Sequence, residues 1–308
     1  MQFLNICIPC FNHNVSKLVE ELYTQCINEN IEFQIIIFED GSYAESVKKN
    51  SLLIEKFNVK HIVSEKNVGR SAARNRLAKE AKKGKIIFLD ADSRIYHSDF
   101  IKTYKQYLEH KIVSGGRKYL PEQYQKTNAL RYKYGLLKET KTPKERNKYP
   151  NTGFATNNFM IDSEVFEIVQ FNESLKNYGH EDSLFGYELL KNGIKILHID
   201  NPVVDEDIEE NSIFLHKTEE GIKNLILIEK SQITDKEFIN EIKITKIAKR
   251  LKKLKLIFVI RFFNSIFKNK IKRHLLNSSN PNLFLFDFYK LSYYCTLKNK
   301  EQWEKNYF

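Results

Sequence analysis

Cysteine is scarce in this 308-residue chain: Cys7, Cys10, Cys26 and Cys295 are the only four. Thiols so few and so scattered make no disulfide framework, which excludes the small secreted scaffolds. Proline (6) and glycine (11) are also sparse, and the chain is 42% hydrophobic and 29% charged. Collagen-like, low-complexity and long disordered architectures are excluded with them. No uncharged apolar run approaches the roughly 18 residues of a membrane span. The longest candidate, 254–263, is interrupted by Lys255 and Arg261. No basic stretch precedes the first apolar run, which breaks at Pro9, so a secretory leader is not expected. No Gly-x-Gly-x-x-Gly follows that run and no Gly-Lys-Ser/Thr occurs anywhere, which removes the dinucleotide fingerprint and the P-loop. Acid is missing from one segment. Residues 243–273 hold twelve Lys or Arg and no Asp or Glu, so the net charge of +11 belongs to that segment and the remainder is nearly neutral.

Four apolar runs, at 3–8, 33–38, 59–63 and 85–89, are interleaved with helical patterns, clearest at 15–28 and 70–82. Ile35-Ile36-Ile37-Phe38 and Ile86-Ile87-Phe88-Leu89 do not alternate with polar residues. Strands covered on both faces look like this, so the spacing predicts an α/β domain with a mostly parallel, Rossmann-like sheet and helices on both faces. Further along, a strand at 159–161, a helix at 182–191 and a strand at 194–199 are expected. Residues 138–150, rich in Lys, Thr and Pro, read as a mobile loop that would close over a ligand. From about 214 the chain turns helical and basic.

In such a sheet the loops at the carboxyl ends of the strands form the binding crevice. Here they carry residues 9–12, 39–42 and 90–92. Asp90-Ala91-Asp92 places two carboxylates just beyond a buried strand, a donor set for a hard divalent cation whose other ligands are water and phosphate. It also suits a solvated turn with Ser93 capping a helix. Glu39-Asp40-Gly41-Ser42 reads as a nucleoside-binding acid or as a plain turn in which Ser42 caps the next helix. Arg70 and Arg74 share one helix face beside a helix N-terminus, which favours a diphosphate, although arginine pairs are also common on surfaces. Asp182, after Gly179-His180-Glu181, is a general base or simply an acid in the first turn of a helix. Cys7 reads as core and Cys10 as a loop thiol without redox function. His180, His198 and His216 read as local, packing or surface residues.

Taken in order, Ile8-Pro9-Cys10-Phe11-Asn12, Glu39-Asp40-Gly41-Ser42, Asn67-Val68-Gly69-Arg70-Ser71-Ala72-Ala73-Arg74-Asn75, Asp90-Ala91-Asp92 and Gly179-His180-Glu181-Asp182 resemble the family 2 glycosyltransferases of GT-A fold. The resemblance extends over roughly residues 3–230. It implies an inverting, metal-dependent transfer of a sugar from a nucleotide donor, a UDP-sugar for choice. The acceptor would be a hydroxyl of a glycan or lipid-linked glycan in surface polysaccharide assembly. By motif position, Pro9, Phe11, Asn12, Asp40, Asn67, Gly69, Arg70, Arg74, Asp90, Ala91 and Asp92 would hold the donor. Asp92, with Asp90, would bind Mn²⁺ or Mg²⁺, and Asp182 would take the acceptor proton. Arg117, Asn157, Asn158 and Glu181 are assigned to the acceptor side. Two departures stand out. Glu39 replaces the first acid of the usual Asp-Asp-Gly-Ser. Asp205 stands where relatives often place a metal-binding His, which makes Asp205 a third candidate metal ligand.

The implied organisation is a catalytic domain over 1–235, with a donor half at 1–110 and an acceptor half at 111–235, followed by a basic helical extension over 236–308. In that extension Ile244, Ile247, Leu251, Leu254, Phe258 and Phe262 fall at three- and four-residue steps, the pattern of one amphipathic basic helix. It is expected either to pack on the domain or to give a cytoplasmic protein peripheral contact with an anionic membrane; nucleic acid is not an expected partner. Two rival readings remain. A haloacid-dehalogenase-like phosphatase would use Asp90 as nucleophile, but it needs that motif on its first strand. A non-catalytic tether would have no use for Asp90, Asp92 and Asp182.

Overall fold

The uninterrupted apolar runs become strands with both faces covered. The computed structural model describes residues 3–175, 179–231 and 234–307. Strands β1 (Leu4–Cys10), β2 (Phe33–Asp40), β3 (Lys60–Ser64) and β4 (Lys85–Leu89) lie parallel in the order β3-β2-β1-β4. They are joined by helices α1 (Ser16–Asn28), α2 (Ala44–Phe57) and α3 (Arg70–Glu80). Successive side chains of a strand point to opposite faces. Thus Ile6, Ile8, Ile35 and Ile37 share one core with Leu18, Leu22 and Cys26. Cys7, Ile36, Phe38 and Phe88 share the other with Ala73 and Leu77. Ala72 and Ala73 leave α3 no bulky side chain at these two buried positions, and it runs close over the sheet.

Past β4 the sheet turns antiparallel. β8 (Asn158–Asp162) pairs with β4 and with β6 (Ile112–Ser114), and β9 (Leu197–His198) closes the seven-stranded sheet parallel to β6. A second sheet of three strands joins β5 (Ser93–Ile95), β10 (Val203–Asp205) and β7 (Arg117–Lys118). Helices α4 (Phe100–Lys105), α6 (Pro143–Arg146), α7 (Ser163–Ile168) and α8 (Glu181–Lys191) complete this unit, formed by residues 3–120, 138–175 and 181–207. Two buried polar side chains tie the antiparallel half to the rest. The Lys85 ammonium lies 2.9 Å from Asp162, its register partner across β4 and β8. Asn158 accepts from the Tyr104 hydroxyl at 2.6 Å and donates to the carbonyls of Gly116 and Asn201 at 3.0 and 2.8 Å.

Three local expectations are corrected here. The strand expected over 194–199 is only the two residues of β9, which pair with Val113 and Ser114, while Ile194 and Ile196 lie in the core ahead of it. Residues 138–150 are not a loose loop. Thr142 caps α6, and the half-buried Arg146 guanidinium donates to the carbonyls of Ser114, Gly115 and Ile199 at 3.2, 3.1 and 2.7 Å. Asn147 adds a bond to the His198 carbonyl at 2.8 Å. Ser93 begins β5 and caps no helix.

The second unit, residues 121–137, 179–180, 208–231 and 234–307, is helical. It comprises α5 (Ala129–Tyr134), α9 (Asn211–Ser231), α10 (Lys236–Glu241), α11 (Lys243–Lys253), α12 (Ile257–Asn277) and α13 (Leu283–Tyr307). Leu130, Phe214, Leu215, Ile271, Leu275, Phe286 and Tyr289 form its core. Asn211 stitches three segments, accepting from the Leu130 amide and donating to the carbonyls of Leu276 and Lys126. The single helix expected over 244–262 is two helices, broken where Lys255 adopts a left-handed φ of 56°.

Asn158→Ala is expected to cost about 2–4 kcal/mol, because it takes the side-chain partner from the buried Asn201 carbonyl and the buried Tyr104 hydroxyl and leaves the Gly116 carbonyl only the Val203 amide. A fall of several degrees in the Tm of the full chain is the readout; an unchanged Tm would show those groups to be solvated.

Candidate active site

The strand ends meet in a set of cross-braces. The last residues of β1 lead through Pro9 to Phe11, exposed, and Asn12, at a φ of 54°. The Asn12 amide donates to Ser42 Oγ at 2.9 Å, and its side-chain oxygen accepts from the Tyr43 amide at 2.7 Å. Ser42 therefore holds the neighbouring loop, and Tyr43 occupies the N-cap position of α2 that the sequence suggested for Ser42. Asp40 accepts from the amides of Val68 and Gly69 at 2.6 and 3.0 Å, and Asn67 donates back to the Asp40 carbonyl at 3.0 Å. Gly41 is obligatory in this brace: its φ is 73°, and a Cβ there would stand 2.4 Å from the Asn67 nitrogen. Glu39 is fully buried. Burial pushes its carboxyl up, but hydrogen bonds from His61, Asn50 and Ser42 outweigh it and hold the group below the ordinary carboxylate value. Cys10 is buried rather than a loop thiol, and burial with Glu39 nearby pushes it up to about 12, so it stays protonated.

At the carboxyl end of β4, the buried Arg74 donates to Asp90 at 2.7 Å and lies over the Phe171 ring at 5.4 Å. The Asp90 amide donates to the Asn157 carbonyl at 3.1 Å. Asp182, in the first turn of α8, accepts from the Thr156 hydroxyl at 2.6 Å and from the Thr156 amide at 3.3 Å. Burial and the adjacent Glu181 push the Asp182 carboxyl up, while Arg74 and the Thr156 hydrogen bond pull it down; the net shift is upward. Arg70 reaches Glu181 at 3.4 Å. Several buried polar atoms in this cluster have no protein partner: Arg74 Nε and Nη1, Asn157 Nδ2, Glu181 Oε2 and Ser71 Oγ. Buried donors are rarely left so in a native fold unless a ligand or water meets them.

A second cluster lies around Asp92. Burial, then Asp90 and Asp205, push its carboxyl up to about 7 against the pull of Arg117. Asp205 is already engaged, accepting from Arg117 at 3.0 Å and lying 2.9 Å from the Tyr119 hydroxyl. Both donors also reach Glu139, at 3.2 and 2.7 Å. Burial works against the Arg117 charge, but Asp205 and Glu139 more than offset it and hold the guanidinium well above its ordinary value. Among the described residues no three His, Cys, Asp or Glu side chains stand ready as a metal cage. The oxygen chemistry still fits a hard cation, because mutual repulsion between Asp92 and its acidic neighbours is what a divalent ion relieves.

Residues 5–169, more than half of the chain, match the sequence model of glycosyl transferase family 2. The chain belongs to that family. The structure of residues 1–349 of TarS from S. aureus, solved in complex with UDP-GlcNAc, has a similar fold, at a TM-score of 0.54 and 17% identity over 99% of this chain and 92% of that one. The mannosyltransferase PcManGT from Pyrobaculum calidifontis, in complex with GDP-Man and Mn²⁺, aligns with a TM-score of 0.57 and 12% identity over 96% of this chain and 86% of that one. No curated protein matches the chain. The phosphatase reading of Asp90 falls with the family assignment.

In this glycosyltransferase the geometry gathers Arg70, Arg74, Asp90, Asn157, Glu181 and Asp182 around one point, and Asp92 with Asp205 and Arg117 around another. Pro9 and Asp40 lie at the carboxyl ends of β1 and β2, and Asn12, Asn67 and Gly69 in the braced loops, with Phe11 exposed beside them and half-buried Ala91 between the two acids. Asn158 spends every polar group of its side chain on the scaffold. Sequence reasoning missed Thr156, Tyr119 and Glu139. Thr156 meets Asp182 and Tyr119 meets Asp205 across long chain separations, Glu139 accepts from Arg117 and Tyr119, and no local pattern marks such contacts.

The raised Asp92 carboxyl has a consequence for stability. The unfolded chain gives up this proton near 3.8 and the fold only near 7, so the contribution is full below the ordinary value and is lost as pH rises through 7. Asp92→Asn is expected to raise the Tm of the metal-free protein by about 2 °C or more at pH 8, and the gap should close towards pH 4. A gap independent of pH would mean that the fold does not raise the Asp92 carboxyl.

Proposed function

We propose that this transferase moves a hexosyl or N-acetylhexosaminyl group from a UDP-sugar to a hydroxyl of a glycan or lipid-linked glycan, with inversion at the anomeric carbon, in surface polysaccharide assembly. The observation that carries the reading is the meeting of Arg74, Asp90 and Asp182, from three separate elements, around partnerless buried donors. A nucleoside diphosphate supplies the anion that the free Arg74 nitrogens and Arg70 would bind. UDP-GlcNAc in the TarS complex and GDP-Man with Mn²⁺ in PcManGT support a nucleotide-sugar donor and a divalent ion.

In this reading Asp92, with Asp90 beside it, would hold Mn²⁺ or Mg²⁺, which when bound would offset charge on a departing diphosphate. Asp205 stays paired to Arg117 and acts on the site through Asp92. Residues 1–110 serve the donor and 111–235 the acceptor, with Asn157 Nδ2 and Glu181 facing sugar hydroxyls. Asp182 accepts the proton of the acceptor hydroxyl. That oxygen bonds to the anomeric carbon from the face opposite the diphosphate, whose bond to the same carbon breaks with its electron pair. A carboxylate raised above its usual range is a better match to a hydroxyl proton at neutral pH.

A panel of UDP- and GDP-sugars scored by thermal shift, with and without Mn²⁺, tests the donor. Stabilisation by a UDP-sugar that grows with Mn²⁺ is expected, and none from any member would end the reading. Asp182→Asn should keep donor binding and lower turnover by about 10²-fold or more. Thr156→Ala removes a hydrogen bond to the charged form of Asp182. The acidic limb of its kcat profile should therefore move to higher pH, with Thr156→Ser restoring it. A limb that stays in place would separate Thr156 from the base.

A further inference from the structure

The acid-free segment presents an apolar surface that the helical core does not cover. On α12, Phe258, Phe262 and Ile266 recur every four residues, with Phe263 and Phe267 beside them, and all five are exposed. Phe258 is 67% exposed and Phe262 61%; Phe284, at the start of α13, reaches 78%. Such a cluster of aromatic side chains marks an interaction site more often than a solvated surface. Only the later part of α12 is held in the core, through Ile271 and Leu275, and Asn264 accepts from Ser292 at 2.9 Å. An apolar cleft of about 360 Å³ opens between α12 and α13, lined by Phe267, Phe284 and Phe288 together with Lys270 and His274.

Charge decides what this surface meets. Lys252, Lys253, Lys255, Lys268, Lys270 and Arg273 are all exposed on α11, α12 and the turn between them. Lys272 and Lys246 are paired to Glu219 and Glu241. A second copy docking symmetrically would bring cation against cation. An anionic bilayer brings phosphates to the cations and acyl chains to the phenylalanines, and no described helix is long and apolar enough to cross it. We propose that the α12 face, with Phe284, seats this protein on the surface of an anionic phospholipid membrane. The break at Lys255 matters here. It frees the α12 aromatics from the face of α11, where Thr245 and Ala248 are buried.

The test is co-sedimentation of the full chain with vesicles of phosphatidylcholine alone or with about a third phosphatidylglycerol. Partitioning at least about tenfold stronger onto the anionic vesicles is expected, weakening at high salt. The exposed-face variant Phe258→Ser/Phe262→Ser/Ile266→Ser should lower it by at least about tenfold, while its thermal shift with nucleotide sugar stays that of the wild type. Equal partitioning onto both vesicle types, or none, overturns the proposal. So does undiminished binding by the variant, which would mean charge alone suffices. A concentration-dependent dimer that the variant dissolves would assign the face to self-association instead. The partitioning and the dimer measurement need no bound donor, and only the variant's control uses nucleotide sugar, so the proposal stands or falls apart from the catalytic reading.

Discussion

Arg74 is a guanidinium almost wholly removed from water, and a buried charge of that kind is tolerated only beside a counter-charge. Asp90 supplies it at 2.7 Å. This pair fixes the carboxyl end of β4 to the first turns of α3, and most of the candidate site follows from that tie. With one Asp90 oxygen held by Arg74, the strand end is oriented. The Asp90 amide then meets the carbonyl of Asn157, which places Thr156 and so the carboxylate of Asp182. The guanidinium nitrogens that Asp90 does not use stay buried and unspent. A pair built only for stability would leave fewer donors idle, since apolar residues of similar volume often serve as well.

The acids around the pair are arranged in opposing senses. Asp205 is satisfied by Arg117 and Tyr119, whereas Asp92 is pressed by its neighbours and gains from anything positive that arrives. Asp40 is spent on the backbone ahead of α3, and Glu39, longer by one methylene than the usual Asp, uses that length to meet both Asn50 and His61. Asp92 thus keeps its charge in reserve, while Asp40, Glu39 and Asp205 have theirs already met by the fold.

Much of this was readable from residue order. The unalternating Ile35–Phe38 and Ile86–Leu89 runs announce strands covered on both faces, and the short motifs at their carboxyl ends announce the family. Contacts across long separations were not readable. Thr156 is chosen by Asp182, 26 positions on, and Arg146 by carbonyls of two other segments. The Lys-, Thr- and Pro-rich composition around Arg146 suggested looseness, because composition does not reveal where a guanidinium goes. The break at Lys255 carries no glycine or proline to mark it, so periodicity ran through it.

The Arg146 anchorage bears on how far this part of the chain can move. Lifting residues 143–147 off the sheet edge would strand the Ile199 carbonyl, strip the guanidinium of its bonds to Ser114 and Gly115 and break the Asn147–His198 pairing at once, at about 1 kcal/mol or more for each bond. That corner behaves as a fixed part of the wall. An insertion or a loosening substitution between residues 143 and 147 would therefore be felt at two other segments of the fold, whereas a swap of an outward-facing side chain would not.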